Sequence, residues 1–121
     1  MELKRVSFKV AVAIKDMGYP QGDSDSFYIN TDDYFFYKKG ELIKDNRDNY
    51  WKDDIIDAPY AMEVYLWLWR EKKEILELIY YPIRNKWYIL YNCNQEISIV
   101  NDPEEAIIST IEYLVDNNLI K

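Results

Sequence analysis

Only three glycines and four prolines interrupt this chain of 121 residues, and most of them stand where an apolar pattern begins or ends. Gly18 and Pro20 follow the first apolar run, Gly40 precedes a later one, and Pro82 closes another. Glycine adopts left-handed backbone without strain and proline lacks a backbone N–H, so both residues end regular elements. The sequence therefore predicts several short helices and strands.

The first apolar run, residues 3–17, fits two patterns. Its apolar side chains alternate as in a strand, and they also recur at the three- and four-residue spacing of a helix. Ser7 can cap a helix N-terminus, and Gly18 followed by Pro20 is typical of a helix end. We therefore predict a helix from Ser7 to Met17.

Two further helices are predicted from their first residues. Pro59 suits the first turn of a helix that runs to about Lys73, whose apolar residues extend nearly all round it. Such a helix is either deeply buried or shares its second face with a partner. The series Asp102-Pro103-Glu104-Glu105 combines an N-cap, an N1 proline and an N3 glutamate, and it predicts the last helix.

Aromatic and β-branched residues mark the predicted strands, because these side chains suit a pleated surface. The polar stretch Lys44–Asp54 breaks this pattern and is predicted to be a mobile loop. The predicted strands are Phe27–Ile29, Tyr34–Tyr37, Glu41–Ile43, Ile75–Tyr81, Trp87–Tyr91 and Glu96–Val100.

The order of these elements is helix, strands, helix, three strands, helix. Short connections let neighbouring strands pair, which predicts an α+β fold: an antiparallel sheet of about five to six strands packed with three helices in a two-layer sandwich. A chain of this length can bury one continuous core, so residues 1–121 are predicted to form a single domain.

The chain is rich in aromatic residues and poor in catalytic groups. It has 20 aromatic residues, no histidine and a single cysteine, Cys93. Without histidine, the serines and Cys93 lack the usual general base, and the glycines match no phosphate-binding motif. We therefore expect a protein that is not an enzyme and has no cofactor.

Charge and apolar length indicate where the chain acts. Twenty-two acidic and 15 basic residues give a net charge of −7, which repels nucleic acid unless the basic residues gather on one face. No apolar run is long enough for a signal peptide or a membrane span, and Cys93 has no disulfide partner. We expect a cytoplasmic protein that binds neither membranes nor nucleic acid.

Aspartates near the first strands and in the polar loop are the remaining candidates for chemistry, since together they could hold a cation. Their spacing does not fit a calcium loop, because tyrosines stand where glycine and glutamate are needed. Solvated turn aspartates are the simpler interpretation. The residues concerned are Asp23, Asp25, Asp32, Asp33, Asp53, Asp54 and Asp57.

The aromatic residues give the main functional prediction. Most of them can fill the interface between sheet and helices, but 20 rings are more than a core of this size encloses easily. Exposed Tyr and Trp are typical of binding hot spots. The predicted partner-binding residues are Tyr50, Trp51, Tyr60 and Trp67.

Four segments, Trp67–Lys73, Ile79–Pro82, Trp87–Ile89 and Asp102–Ala106, resemble those of small uncharacterised proteins of gut-bacterial phages and prophages. The resemblance also includes Gly18–Gln21 and the helix start at Ala58-Pro59, and it covers most of the chain except Lys44–Asp54. It implies an origin in mobile elements and a shared α+β fold, while the group has no established activity to transfer.

The leading hypothesis is a non-enzymatic accessory protein that binds another protein through exposed aromatic surface. A homodimer is its simplest form. One alternative is a small-ligand or metal-binding domain, with a possible hydrolase activity, that uses the loop carboxylates. Another is an acidic decoy that imitates nucleic acid and occupies a host protein.

Overall fold

The computed structural model describes residues 3–31, 39–44 and 47–120 and shows an α+β protein. The chain divides into two compact units. The N-terminal unit is Arg5–Pro59, and the C-terminal unit consists of Tyr60–Lys121 together with Met1–Lys4. The single domain stays a prediction.

The N-terminal unit begins with helix α1, Phe8–Asp16, which confirms the first predicted helix. Its N-cap is Ser7, whose Oγ accepts a hydrogen bond from the Val10 N–H at 3.3 Å. Beyond its C-terminus, Gly18 has a φ of +99°, the left-handed conformation that favours glycine. Ser7 and Gly18 therefore correctly predicted that this apolar run is a helix and not a strand.

A three-stranded antiparallel sheet forms the rest of this unit. Strand β1, Ser26–Ile29, lies between β2, Leu42–Lys44, and β3, Ile55–Asp57. Strand β3 was not predicted. The predicted strand Tyr34–Tyr37 lies outside the described residues.

The predicted mobile loop is partly helical. Two short 3₁₀ helices, Arg47–Asn49 and Lys52–Asp54, occupy most of its described part. Tyr50 lies between them and packs with the buried core residues Phe27, Ile29 and Ile55. The described part of this segment is therefore attached to the sheet and differs from the loop that its polarity suggested.

The C-terminal unit begins with helix α2, Ala61–Glu71. Pro59 precedes it rather than occupying its first turn, because the N-cap is Tyr60, whose N–H donates to Glu63 Oε1 at 3.2 Å. The helix buries one side and exposes part of the other, where Leu66 and Trp69 lie. Its buried residues are Ala61, Val64, Trp67 and Leu68.

Three strands follow as an antiparallel meander, as predicted. They are β4, Leu76–Tyr81, β5, Lys86–Tyr91, and β6, Gln95–Val100, with β5 in the centre. The register of β5 and β6 shifts between Trp87 and Ile89.

This meander is separate from the sheet of the N-terminal unit. The six strands of the described residues thus form two three-stranded sheets and not the single sheet that the sequence predicted, because β3 pairs with β1 instead of continuing towards β4.

Helix α3, Pro103–Asp116, completes the unit and confirms the last predicted helix. It lies against β5, β6 and α2. The Asp102 Oδ1 accepts hydrogen bonds from the N–H groups of Glu104 and Glu105 at 2.7 and 3.3 Å. Asp102 therefore satisfies two backbone donors that the helix itself leaves unpaired.

We expect Asp102→Ala to lower the free energy of unfolding by about 1 kcal/mol, the usual effect of removing an N-cap. Urea denaturation monitored by circular dichroism measures the change. Asp102→Asn is the matched control and should retain most of the stability, since an amide oxygen also caps well. Equal loss in both variants would show that the cap hydrogen bonds contribute little.

Candidate functional site

The four predicted partner-binding residues fall in different units. Tyr50 and Trp51 belong to the N-terminal unit, and Tyr60 and Trp67 belong to the C-terminal unit. Trp51 is the most exposed of them, with 78% of its surface accessible. Trp67 is only 6% accessible, because it lies on the buried side of α2, and it lacks the exposed surface that the prediction requires.

The exposure of Tyr50 and Tyr60 lies between that of Trp51 and that of Trp67. Tyr50 is half-buried, and its ring meets that of Phe27 edge-on, with 5.5 Å between the ring centroids. Tyr60 is half-buried at the N-cap of α2. Of the four predicted residues, Tyr50 and Trp51 lie side by side because they are neighbours in the sequence.

A cavity of about 410 Å³ lies beside Tyr50 in the N-terminal unit. Its polar lining includes Lys15 from the last turn of α1, together with Arg47 and Lys52 from the two 3₁₀ helices. Tyr50 and Ile55 supply apolar surface. The cavity thus combines positive charge with one aromatic and one aliphatic side chain.

Arg47 is fixed in the wall of this cavity by the carboxylate of Asp57 at the end of β3. Its Nη2 donates to Asp57 Oδ1 at 2.6 Å and to the Ser24 carbonyl oxygen at 2.8 Å. The guanidinium carbon lies 5.1 Å from the centroid of the Phe27 ring. These contacts restrict Arg47 to one geometry.

Asp57 itself is buried, with 2% of its surface accessible. Its Oδ2 accepts hydrogen bonds from the N–H groups of Gly22 and Ser24 at 2.8 and 3.3 Å. Its own N–H donates to Gln21 Oε1 at 2.9 Å. For Asp57 the interpretation as a solvated turn aspartate was wrong, because the strand β3 carries the carboxylate inside, where it joins the loop Gln21–Ser24 to Arg47.

The other aspartates that the structure describes do not form a metal site. Asp25 pairs with Arg5, whose Nη2 lies 2.5 Å from Asp25 Oδ1. Asp32 and Asp33 lie outside the described residues. Within residues 3–31, 39–44 and 47–120, no group of three or more acidic or cysteine side chains is placed to hold a metal ion.

A second, smaller cavity of about 220 Å³ lies on the sheet of the C-terminal unit. Tyr81, Tyr88 and Ile99 supply its apolar surface, and Arg84 and Glu96 supply opposite charges. The guanidinium carbon of Arg84 lies 5.9 Å from the Tyr81 ring centroid. With one charge of each sign, this surface favours neither anions nor cations.

Sequence reasoning missed the cavity of the N-terminal unit. Lys15, Arg47 and Lys52 are isolated cations in the sequence, and each has an acidic neighbour at the next position or the one after it. Such residues are typical of solvated faces. Only the pairing of β3 with β1, and the packing of α1 beside β3, brings the three cations to one cavity.

Comparison with protein-family models, curated proteins and solved structures found no match for this chain. In the part of the chain that the structure describes, no helix has the length and apolar character needed to cross a membrane. The resemblance to phage and prophage proteins remains a prediction.

Proposed function

We propose that this chain is a non-enzymatic accessory protein, of the type that phages and mobile elements encode, and that it binds another protein or a second copy of itself through exposed aromatic surface. Trp51 carries the proposal. A tryptophan that is 78% accessible leaves a large apolar area in water, which association with a partner can remove. Trp is also the residue type most enriched at binding hot spots.

The backbone on both sides of Trp51 is held in place, which lowers the entropy lost on binding. Before it, the Tyr50 N–H donates to the Arg47 carbonyl oxygen at 3.2 Å, and the Tyr50 ring packs on Phe27. After it, the Asp54 N–H donates to the Trp51 carbonyl oxygen at 3.0 Å. The indole is thus presented by an ordered segment, as a preorganised contact requires.

Trp51→Ala is expected to weaken partner binding by about 2 kcal/mol or more, roughly thirtyfold in Kd, as for a hot-spot tryptophan. Sedimentation over a range of concentrations tests self-association, and capture from a gut-bacterial lysate tests other partners. Ile83→Ala is the control, because Ile83 is 87% accessible and lies in the C-terminal unit. It should leave binding unchanged.

The proposal fails if the wild-type protein is monomeric and if the wild type and Trp51→Ala capture the same proteins in the same amounts. The absence of histidine supports a role without catalysis. The acidic decoy and the site built from loop carboxylates stay predictions.

A further inference from the structure

We propose that the cavity beside Tyr50 binds a small organic anion that consists of a negatively charged oxygen group attached to a flat apolar ring. This inference goes beyond the proposed protein contact and does not depend on it. It rests on the charge of the lining, on the order of the walls and on the apolar side chains that complete them.

The charge of the lining is opposite to that of the protein. The whole chain has a formal net charge of −7, whereas the described residues that line the cavity include three cations, Lys15, Arg47 and Lys52, and the carboxylate of Asp48. The charge of Arg47 is offset by its ion pair with Asp57. The two lysines therefore provide the positive charge that a ligand in the cavity contacts. Lysines placed in a concave surface attract anions more strongly than lysines on a flat, solvated face.

Both lysines can donate hydrogen bonds to such a ligand. Lys15 uses one of its three N–H groups in a 3.3 Å hydrogen bond to the Ile55 carbonyl oxygen, which holds the ammonium at the cavity. Lys52 is exposed and forms no ion pair with any carboxylate of the described ranges. A charged oxygen group between them would receive charge-assisted hydrogen bonds from two sides.

Two side chains of the cavity wall, Gln21 and Arg47, are held in place before any ligand binds. The Gln21 amide is held at both ends: Oε1 accepts from the Asp57 N–H, and Nε2 donates to the Tyr19 carbonyl oxygen at 3.1 Å. Arg47 is fixed by Asp57 and the Ser24 carbonyl. A ligand therefore pays little for ordering the site.

The apolar part of the lining selects an anion that carries a ring. Tyr50 offers an aromatic surface and Ile55 an aliphatic one. The volume of about 410 Å³ lies within the range of about 300–1,000 Å³ that is usual for small-molecule sites. An inorganic ion would leave most of this space and both apolar side chains in water, so an aromatic carboxylate or phosphate ester fits better.

Isothermal titration calorimetry of the full chain at low salt tests the proposal with four probes: phenyl phosphate, benzoate, inorganic phosphate and phenol. We expect saturable binding of phenyl phosphate or benzoate, and the stronger of the two identifies the charged group. Inorganic phosphate and phenol should each bind at least tenfold more weakly, because each lacks one half of the recognised chemistry. If inorganic phosphate or phenol binds as tightly as the ring anion, the proposal is wrong. It is also wrong if neither phenyl phosphate nor benzoate binds.

Variants then locate the site. Lys52→Ala should weaken binding of the ring anion about tenfold, and Lys52→Arg should retain most of the wild-type affinity. Lys15→Ala should weaken binding of the ring anion more than Lys52→Ala does. Lys44→Ala is the matched control, because Lys44 is an exposed lysine of the same unit that does not line the cavity. If Lys44→Ala weakens binding as much as Lys52→Ala, or if Lys52→Ala has no effect, the cavity is not the binding site and the proposal is wrong.

Discussion

Replacing Asp57 with alanine should lower the free energy of unfolding by about 3 kcal/mol, more than the same change at Asp53 or Asp54. The carboxylate is 2% accessible and accepts hydrogen bonds from Arg47 and from the N–H groups of Gly22 and Ser24. Alanine removes all these acceptors at once. Partly buried donors without a partner account for most of the expected loss.

Urea denaturation monitored by tryptophan fluorescence measures this change. The matched control is Asp48→Ala, which removes an exposed carboxylate from the lining of the cavity and should alter stability by less than about 0.5 kcal/mol. Asp57→Asn tests the charge, because the amide can still accept from a backbone N–H but pairs poorly with Arg47. A loss below about 1 kcal/mol in Asp57→Ala would mean that these contacts do not organise the cavity wall.

The same carboxylate shows what the sequence could not predict. Asp53, Asp54 and Asp57 stand close together in the sequence, and although Asp57 follows the apolar pair Ile55-Ile56, its neighbours do not specify a strand partner. Only Asp57 lies in β3, opposite Phe27 in the register of β1 and β3. Burial of one aspartate among three depends on a strand pairing between residues about 30 positions apart, which no short-range pattern specifies.

Elements with local signals were predicted well. Ser7 and Asp102 cap their helices by contacts within three residues, and the meander of the C-terminal unit pairs strands that follow one another directly. The start of α2 was misplaced because Pro59 suits both the first turn and the position before the cap. When local signals fit two helix starts, the surrounding structure decides where the helix begins.

The candidate site also has one part that local sequence predicts and one part that it does not. Exposure of Trp51 follows from its polar surroundings in the sequence, so its selection needed only local information. The cavity next to it needs Lys15 and Arg47, which are 32 positions apart, and no spacing rule joins them. Composition therefore indicated an aromatic binding surface, while the tertiary fold alone identified a cationic cavity.

Ile107→Ala is expected to lower the free energy of unfolding by about 3 kcal/mol, within the range for deleting a buried aliphatic side chain. Ile107 is fully buried on α3, the helix that lies against β5, β6 and α2. The loss combines the transfer of the missing methyl and methylene groups with the cavity that remains. Alanine is a better helix former than isoleucine, which offsets only a few tenths of a kcal/mol.

The neighbouring residue provides a control of the same chemistry. Ile108 is partly exposed on the same helix, so Ile108→Ala removes the same atoms with the same gain in helix propensity, and it should lose about 1 kcal/mol or less. Urea denaturation of both variants, with circular dichroism of the native states, measures the difference. Similar losses would contradict the assignment of Ile107 to the core face of α3, since burial is the property that separates the two positions.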